Sequence, residues 1–346
     1  MKRYSFIGLI FIILLNGCGK FNLTPEIIIN FQNPTDITET SFQISWSINT
    51  TEYQSLTFLL AEDPGFEKVV ISRTFKGSST NGTRIESLKG AASYYYRISL
   101  LKKPGSIFVS RTKSIELPYQ QDFVSFFTSD SALLRGSIYY RGELSGKRPA
   151  VVFMHEFGVF VNGWINSEIL RALVAEGYIC MIYWNRGHGQ SSGIDDVQAL
   201  ISDPIYLSND LRGAMEFIRM NPLVMPDSIA LMGASMGASM AVSGSGNVRV
   251  RTSVALSPAT MHINYMYPDI PLKSIFYIVG DQDIVDTGAQ VIDFPAQTME
   301  LYEMTLAPRK LLVIEQTGAH GTELLESTGV NKKILQWIIE QMPISP

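Results

Sequence analysis

Five residues, Gly233-Ala234-Ser235-Met236-Gly237, set one serine between two glycines. The apolar run 228–232 before them reads as a buried strand, and the small residues 238–242 after them suit a helix start. A sharp strand-to-helix turn would lift the serine oxygen clear of the backbone, and side chains in place of the glycines would clash with the neighbouring strand and helix. The turn would also hold the oxygen near a helix N-terminus, where developing negative charge is favoured. The spacing alone is a weak signal: with glycine near 7% of residues, chance supplies it in roughly one chain of this length in ten. The strand before it and the helix after it give it weight over a plain glycine-rich packing turn.

A serine hydroxyl attacks poorly until a base removes its proton. The chain has four histidines, His155, His188, His262 and His320, and none has metal-binding spacing. His320 is the expected base. It follows the strand-like run 310–314, in a loop that Gly318 and Gly321 are expected to make flexible. Its late position suits the order serine, acid, histidine. Three carboxylates, Asp281, Asp283 and Asp286, follow the apolar run 275–279 and compete for the acid's place. That carboxylate would fix the imidazole tautomer and stabilise its charged form. Two backbone N–H groups are needed for the oxyanion. Met236, directly after the serine, is one. Phe157, in the loop His155-Glu156-Phe157-Gly158 after the run 150–155, is the other.

These positions need a scaffold that gathers loops. Runs 123–127, 133–140, 150–155, 178–184, 228–232, 252–256, 275–279 and 310–314 read as strands, and 167–176, 209–220 and 323–342 as helices. Alternation of this kind predicts an α/β fold with a mostly parallel sheet covered on both faces. Ligands then bind beyond the carboxyl ends of the strands, where the polar motifs fall.

From about residue 122 to 342 the chain resembles the α/β-hydrolase superfamily. The motifs around His155, Arg186, Ser235, Asp283 and His320 occur in the order of that superfamily. The resemblance implies Asp283 as the acid, three residues after Gly280, with Asp281 as runner-up. Many members have His-Gly where this chain has His155-Glu156, and the pair here resembles the dienelactone hydrolase branch. That branch often uses cysteine as nucleophile, whereas this chain has serine. Glu156 is implied either to tune the nucleophile or to brace its loop. Asn185-Arg186-Gly187-His188-Gly189-Gln190-Ser191 resembles a turn whose role is structural, so His188 is not expected to act as a base. Met261, Tyr265, Met266 and Tyr267, between two strands, are expected either to line an acyl pocket or to pack on a neighbouring loop.

The N-terminal third differs. Lys2 and Arg3 precede the apolar run 6–15, which is too short to span a membrane comfortably. Leu15-Asn16-Gly17-Cys18 resembles a bacterial lipobox, which implies a signal peptide over 1–17, lipidation of Cys18 and a tether over 18–23. Gly19 after the cysteine favours the outer membrane or cell surface. Residues 24–118 alternate with period two, as in Phe42, Ile44, Trp46 and Ile48. With Trp46, and Leu88 six positions before Tyr94, they resemble a fibronectin type III sandwich with its tyrosine corner. Such a unit would serve as a spacer or contact a carbohydrate or protein. Tyr119-Gln120-Gln121 reads as a linker, and 119–346 as the catalytic domain.

Hydrophobic residues make up 46% of the 346 and charged residues 17%, which allows a packed core. A net charge of −4 argues against nucleic acid as a partner. Cys18 and Cys180 are too few for a disulfide framework. The sequence therefore predicts a cell-envelope serine hydrolase acting on carboxylic esters or related acyl substrates, with no metal or organic cofactor implied. The alternatives are a serine peptidase of the same fold and a non-catalytic surface binding lipoprotein.

Overall fold

The computed structural model describes residues 27–344 apart from 78–79, 103–104, 143, 145, 159–160, 248, 262, 264, 267, 287 and 289. The expected signal peptide and tether, with Cys18, lie outside the described residues, as do His262 and Tyr267.

The N-terminal unit is all-β. Its strands are β1 (Ile29–Phe31), β2 (Phe42–Ile48), β3 (Ser55–Ala61), β4 (Val69–Lys76), β5 (Gly82–Ile85), β6 (Ser93–Leu101), β7 (Ile107–Val109) and β8 (Lys113–Glu116). One sheet runs β1-β2-β5; the other runs β4-β3-β6-β7, with β8 also on β6. The alternation read in the sequence is the burial pattern: Phe42, Ile44 and Trp46 meet Phe58, Tyr96 and Ile98 in one core. Tyr94 is buried, and its hydroxyl accepts from the Lys89 N–H at 2.9 Å.

The second unit comprises β9 (Gln120–Phe127), β10 (Leu133–Tyr140), β11 (Arg148–Met154), α1 (Asn162–Ile165), α2 (Glu168–Glu176), β12 (Ile179–Trp184), α3 (Ala199–Ser202), α4 (Pro204–Met220), β13 (Val224–Ala234), α5 (Met236–Gly244), β14 (Val250–Leu256), β15 (Lys273–Gly280), β16 (Ile284–Asp286), β17 (Val291–Asp293), α6 (Phe294–Met304), β18 (Leu306–Ile314), a 3₁₀ turn (Gly321–Glu326) and α7 (Val330–Gln341). Eight strands form one sheet in the order β18-β15-β14-β13-β11-β12-β10-β9. Strands from β12 through β11 to β18 pair in parallel, while β10 is antiparallel to both its neighbours.

The apolar β11 is buried on both faces. Val151 and Phe153 join a core under α2 and α7, and Ala150, Val152 and Met154 join one under α4. Cys180 on β12 is fully buried, as expected of a small hydrophobe. From β11 the chain first adds β12 on one side and then returns to place β13 on the other. The loops after β11 and β13 therefore flank the point where strand order reverses, which is where a crevice opens in such sheets.

Several expected boundaries move. Gln120 and Gln121, read as linker, are already paired in β9. The helix expected at 209–220 begins at Pro204, with the Asp203 carboxylate accepting from the Ile205 N–H at 3.0 Å; proline at the first helical position has no N–H to leave unsatisfied. The span 323–342, read as one helix, is a 3₁₀ turn and then α7, separated at Gly329, which has φ 80°. The helix α6 and the hairpin β16–β17 were not anticipated.

The units are joined at one corner. Arg171 on α2 donates to the Leu117 carbonyl at 2.9 Å and pairs with Glu116 at 3.1 Å. Glu39 of the sandwich accepts from Gly142 N–H at 2.7 Å.

Candidate active site

Ser235 ends β13 and begins α5, with φ 54° and ψ −117°. Such a conformation costs a non-glycine residue on the order of 1–3 kcal/mol. It is held by the Ser235 N–H bond to Leu256 O at 2.8 Å and by close packing on both sides. A Cβ on Gly233 would lie 1.9 Å from Gly237 O, and one on Gly237 would lie 2.3 Å from Met154 O. Both glycines of the motif are thus required by backbone contact. The Met236 N–H, first in the helix, has no acceptor within it.

His320 follows β18 and its Nδ1 lies 2.9 and 3.0 Å from the two oxygens of Asp283. Asp283 is buried. Nδ1 therefore carries the hydrogen, and Nε2 is left as the base. Of the three carboxylates, Asp283 alone meets the imidazole. Asp281 accepts from the Thr317 N–H at 3.1 Å, and Asp286 accepts from the Gly288 N–H at 2.8 Å. Ser235 and His320 both lie at the carboxyl edge of the sheet, after β13 and β18, with β14 and β15 between those strands. Gly321 N–H donates to Ser257 Oγ at 3.0 Å, just past β14, which pairs with β13. Phe294, 4.5 Å ring to ring from His320, shares a cavity wall with Ser235. Among the described residues no hydrogen bond joins Ser235 Oγ to His320; such contacts commonly tighten only when substrate binds.

The loop after β11 is fixed by two histidines that the sequence did not single out for this purpose. His155 Nε2 accepts from the Asn185 N–H at 3.1 Å, so its hydrogen is on Nδ1, which donates to Glu156 O at 2.6 Å. That carbonyl belongs to the same peptide plane as the Phe157 N–H. His155 therefore sets the direction of the expected oxyanion donor. The next N–H, of Gly158, is taken by His188 Nε2 at 3.0 Å. The structural role expected for the turn around His188 is what the geometry gives. Arg186 anchors that turn, with Nε 2.8 Å from Asp210 Oδ1 and Nη1 2.7 Å from Asp130 Oδ2.

Burial holds the His155 imidazole down to about 4. An unfolded histidine binds its proton near 6.5. The folded state thus binds fewer protons between these values, so the contribution is complete above about pH 6.5 and is lost as pH falls towards 4. The difference corresponds to about 3 kcal/mol. Urea unfolding of the wild type should lose about that much more stability between pH 7 and pH 4 than His155→Asn does. Equal losses would remove His155 as the source.

Glu156 braces the loop carrying the base. Its Oε1 accepts from the Thr322 N–H and from Thr322 Oγ1, the latter at 2.8 Å. A Cβ on Gly321 would lie 2.2 Å from Oε1, and Gly321 has φ 56°. The glycine expected to loosen the loop instead lets a carboxylate seat against it. Charge-assisted bonds of this kind contribute about 1.5–3 kcal/mol. Glu156→Ala should therefore lower kcat by about tenfold to a hundredfold, and Glu156→Gln, which keeps an acceptor, by less. Equal losses in the two variants would point to the charge rather than the brace.

Beside Ser235 lies a cavity of about 140 Å³. Phe157, Met236, Met240, Met261, Met266 and Phe294 are among its walls, and Leu200, Pro204, Leu207 and Ser208 close it from α3 and α4. Met261 and Met266 thus line the pocket as one expectation had it, whereas Tyr265 is exposed. The contribution of α3 and α4 had no local signal in the sequence.

Residues 136–305 match the model of the Dienelactone hydrolase family. Thiohydrolase apmlB of Arthrinium phaeospermum is 30% identical over 168 residues, 48% of this chain and 52% of that protein. Thiohydrolase aneE of Aspergillus aculeatus is 30% identical over 161 residues, 44% and 46% of the two chains. The chain spans about half the length of these curated relatives. Among solved structures, Est1E from Butyrivibrio proteoclasticus with bound ferulic acid superposes with a TM-score of 0.50 at 14% identity, covering 64% of this chain and all of that one (100%). DcsB in complex with its substrate analogue gives 0.50 at 16% identity, covering 64% and 99%. The second unit has the α/β-hydrolase fold, and the family match supports a hydrolase.

Proposed function

We propose that the protein hydrolyses carboxylic esters through an acyl-serine intermediate on Ser235. The observation that carries the reading is a serine held at φ 54° at a strand-to-helix turn beside an apolar cavity, with the buried Asp283 paired to His320 at the same carboxyl edge of the sheet. His320 Nε2 takes the Ser235 proton as Oγ attacks the ester carbonyl carbon. The Phe157 and Met236 N–H groups receive the oxyanion. The bond to the alcohol oxygen breaks as His320 returns the proton to it. Water, activated in the same way, then releases the acid and frees Ser235.

Thioesters form a second substrate reading. It is favoured by the names of the two curated relatives, both thiohydrolases. The chemistry is the same up to the leaving atom, which becomes sulfur. The test offers the purified protein matched oxygen esters, thioesters and aminoacyl amides, with a fluorophosphonate probe to label Ser235. Labelling with turnover of an ester or thioester is expected. Amide cleavage at a greater rate would turn the reading to a peptidase, and absence of both labelling and turnover to a binding protein.

The setting belongs to the same proposal. Lipidation at Cys18 would tether the enzyme to the cell envelope, and one acyl chain gives weak anchoring where two or more hold firmly. Among the described residues no helix is long and apolar enough to cross a membrane. The all-β unit, read as fibronectin type III-like, would lift the catalytic unit off the surface. Its Tyr94–Lys89 bond resembles a tyrosine corner in support of that reading.

A further inference from the structure

The cavity beside Ser235 follows one face of α5. Ser235, Ser239 and Ser243 all line it, four residues apart, and so do Met236 and Met240. Residues at i, i+4 and i+8 stand above one another on a helix, so the cavity starts at the nucleophile and runs two turns along the helix. At 1.5 Å per residue, eight residues span about 12 Å.

The lining favours an aliphatic chain. Four methionines, Met236, Met240, Met261 and Met266, contribute to the wall, and their unbranched, polarizable side chains adapt to a flexible guest. Ser239 Oγ is engaged by the Ala259 N–H and carbonyl, each at 3.0 Å. Ser243 is buried, and its hydroxyl is without a partner among the described residues. Among the described residues of this wall none carries a charged side chain. A guest with a charged or strongly polar tail would lose its hydration there without compensation.

Size sets the limits. A dry aliphatic cavity near 150 Å³ admits a six-carbon ring, which is close to the 140 Å³ here. An extended chain advances about 1.2 Å per bond, from 3.3–3.6 Å over three backbone bonds. Twelve ångströms thus takes about ten bonds. Resting on the acyl-serine reading above, we infer that the acyl group is an unbranched, uncharged chain of about six to ten carbons. It lies along α5, with its carbonyl at Ser235 and its far end towards Ser243.

The test is a kcat/KM profile over p-nitrophenyl esters from acetate to palmitate, with benzoate included, on the full chain. Each buried methylene contributes about 0.8 kcal/mol, equivalent to about fourfold in rate constant. The profile should climb by two- to fourfold per carbon, peak between about six and ten carbons, and fall beyond. Ser243→Leu should lower the octanoate-to-acetate ratio at least tenfold and move the peak to shorter chains. Leu207→Ala, which removes wall contributed by α4, should move it to longer chains. A peak at acetate, a flat profile, or benzoate exceeding every straight chain would overturn the inference. So would a ratio unmoved in both variants. Should Ser243→Leu fail to fold, the wild-type profile and Leu207→Ala decide. Fluorophosphonate labelling of Ser235 separates the two levels: labelling with a peak at acetate rejects only the chain-length claim. A protein that neither labels nor turns over any ester rejects the acyl-serine reading and this inference with it.

Discussion

Ser235→Ala lowers turnover of the best ester by about 10⁴-fold or more, with little change in unfolding midpoint. The large effect follows from chemistry, since the acyl-enzyme cannot form without Oγ and His320 then has no proton to take. The small effect follows from structure. The turn is held by the Ser235 N–H bond to Leu256 and by the packing at Gly233 and Gly237, none of which involves the hydroxyl. Alanine inherits the same backbone angles. Loss of fluorophosphonate labelling should accompany loss of turnover. A variant retaining a tenth of the wild-type rate would mean that another group attacks the substrate.

Asp283→Asn produces the next largest loss, about 10⁴-fold in kcat. The buried carboxylate lies within 3.0 Å of His320 Nδ1 through both oxygens and so holds the hydrogen there. An asparagine amide presents N–H groups as well as a carbonyl, and can turn the imidazole to the tautomer with hydrogen on Nε2. That tautomer cannot accept the serine proton. The carboxylate also stabilises the imidazolium that forms during attack, and the amide does so far less. Asp281→Asn is the control: its carboxylate is exposed and bonded to Thr317, so turnover should stay within twofold. A loss of less than tenfold in Asp283→Asn, or a comparable loss in Asp281→Asn, would reassign the acid.

The elements that could be read from the sequence were those with a strong local pattern. Within the run 150–155, residues 150–154 are unbroken and apolar because β11 is buried on both faces. Ser167 before Glu168 marks the start of α2, where its hydroxyl accepts from the Leu170 N–H. The hairpin β16–β17 was missed because its strands are three residues each and largely exposed, and so carry no alternation. Helix α6 was missed although Asp293 and Pro295 are start signals, because its apolar face is weakly marked. The break before α7 lies at Gly329, whose left-handed backbone interrupts an otherwise helical run.

The amino-acid order alone determined the chemistry on offer: a serine between glycines, a late histidine, a set of aspartates after one strand, and a parallel sheet to gather their loops. These are local facts of residue type and periodicity. Tertiary structure decided the pairings. It chose Asp283 over its neighbours, turned Glu156 towards Thr322, set His155 behind the Phe157 peptide and brought α3 and α4 over the cavity. Each of these contacts joins segments distant along the chain, or depends on the path of a loop that such contacts hold, and so arises only once strand register and loop path are fixed together.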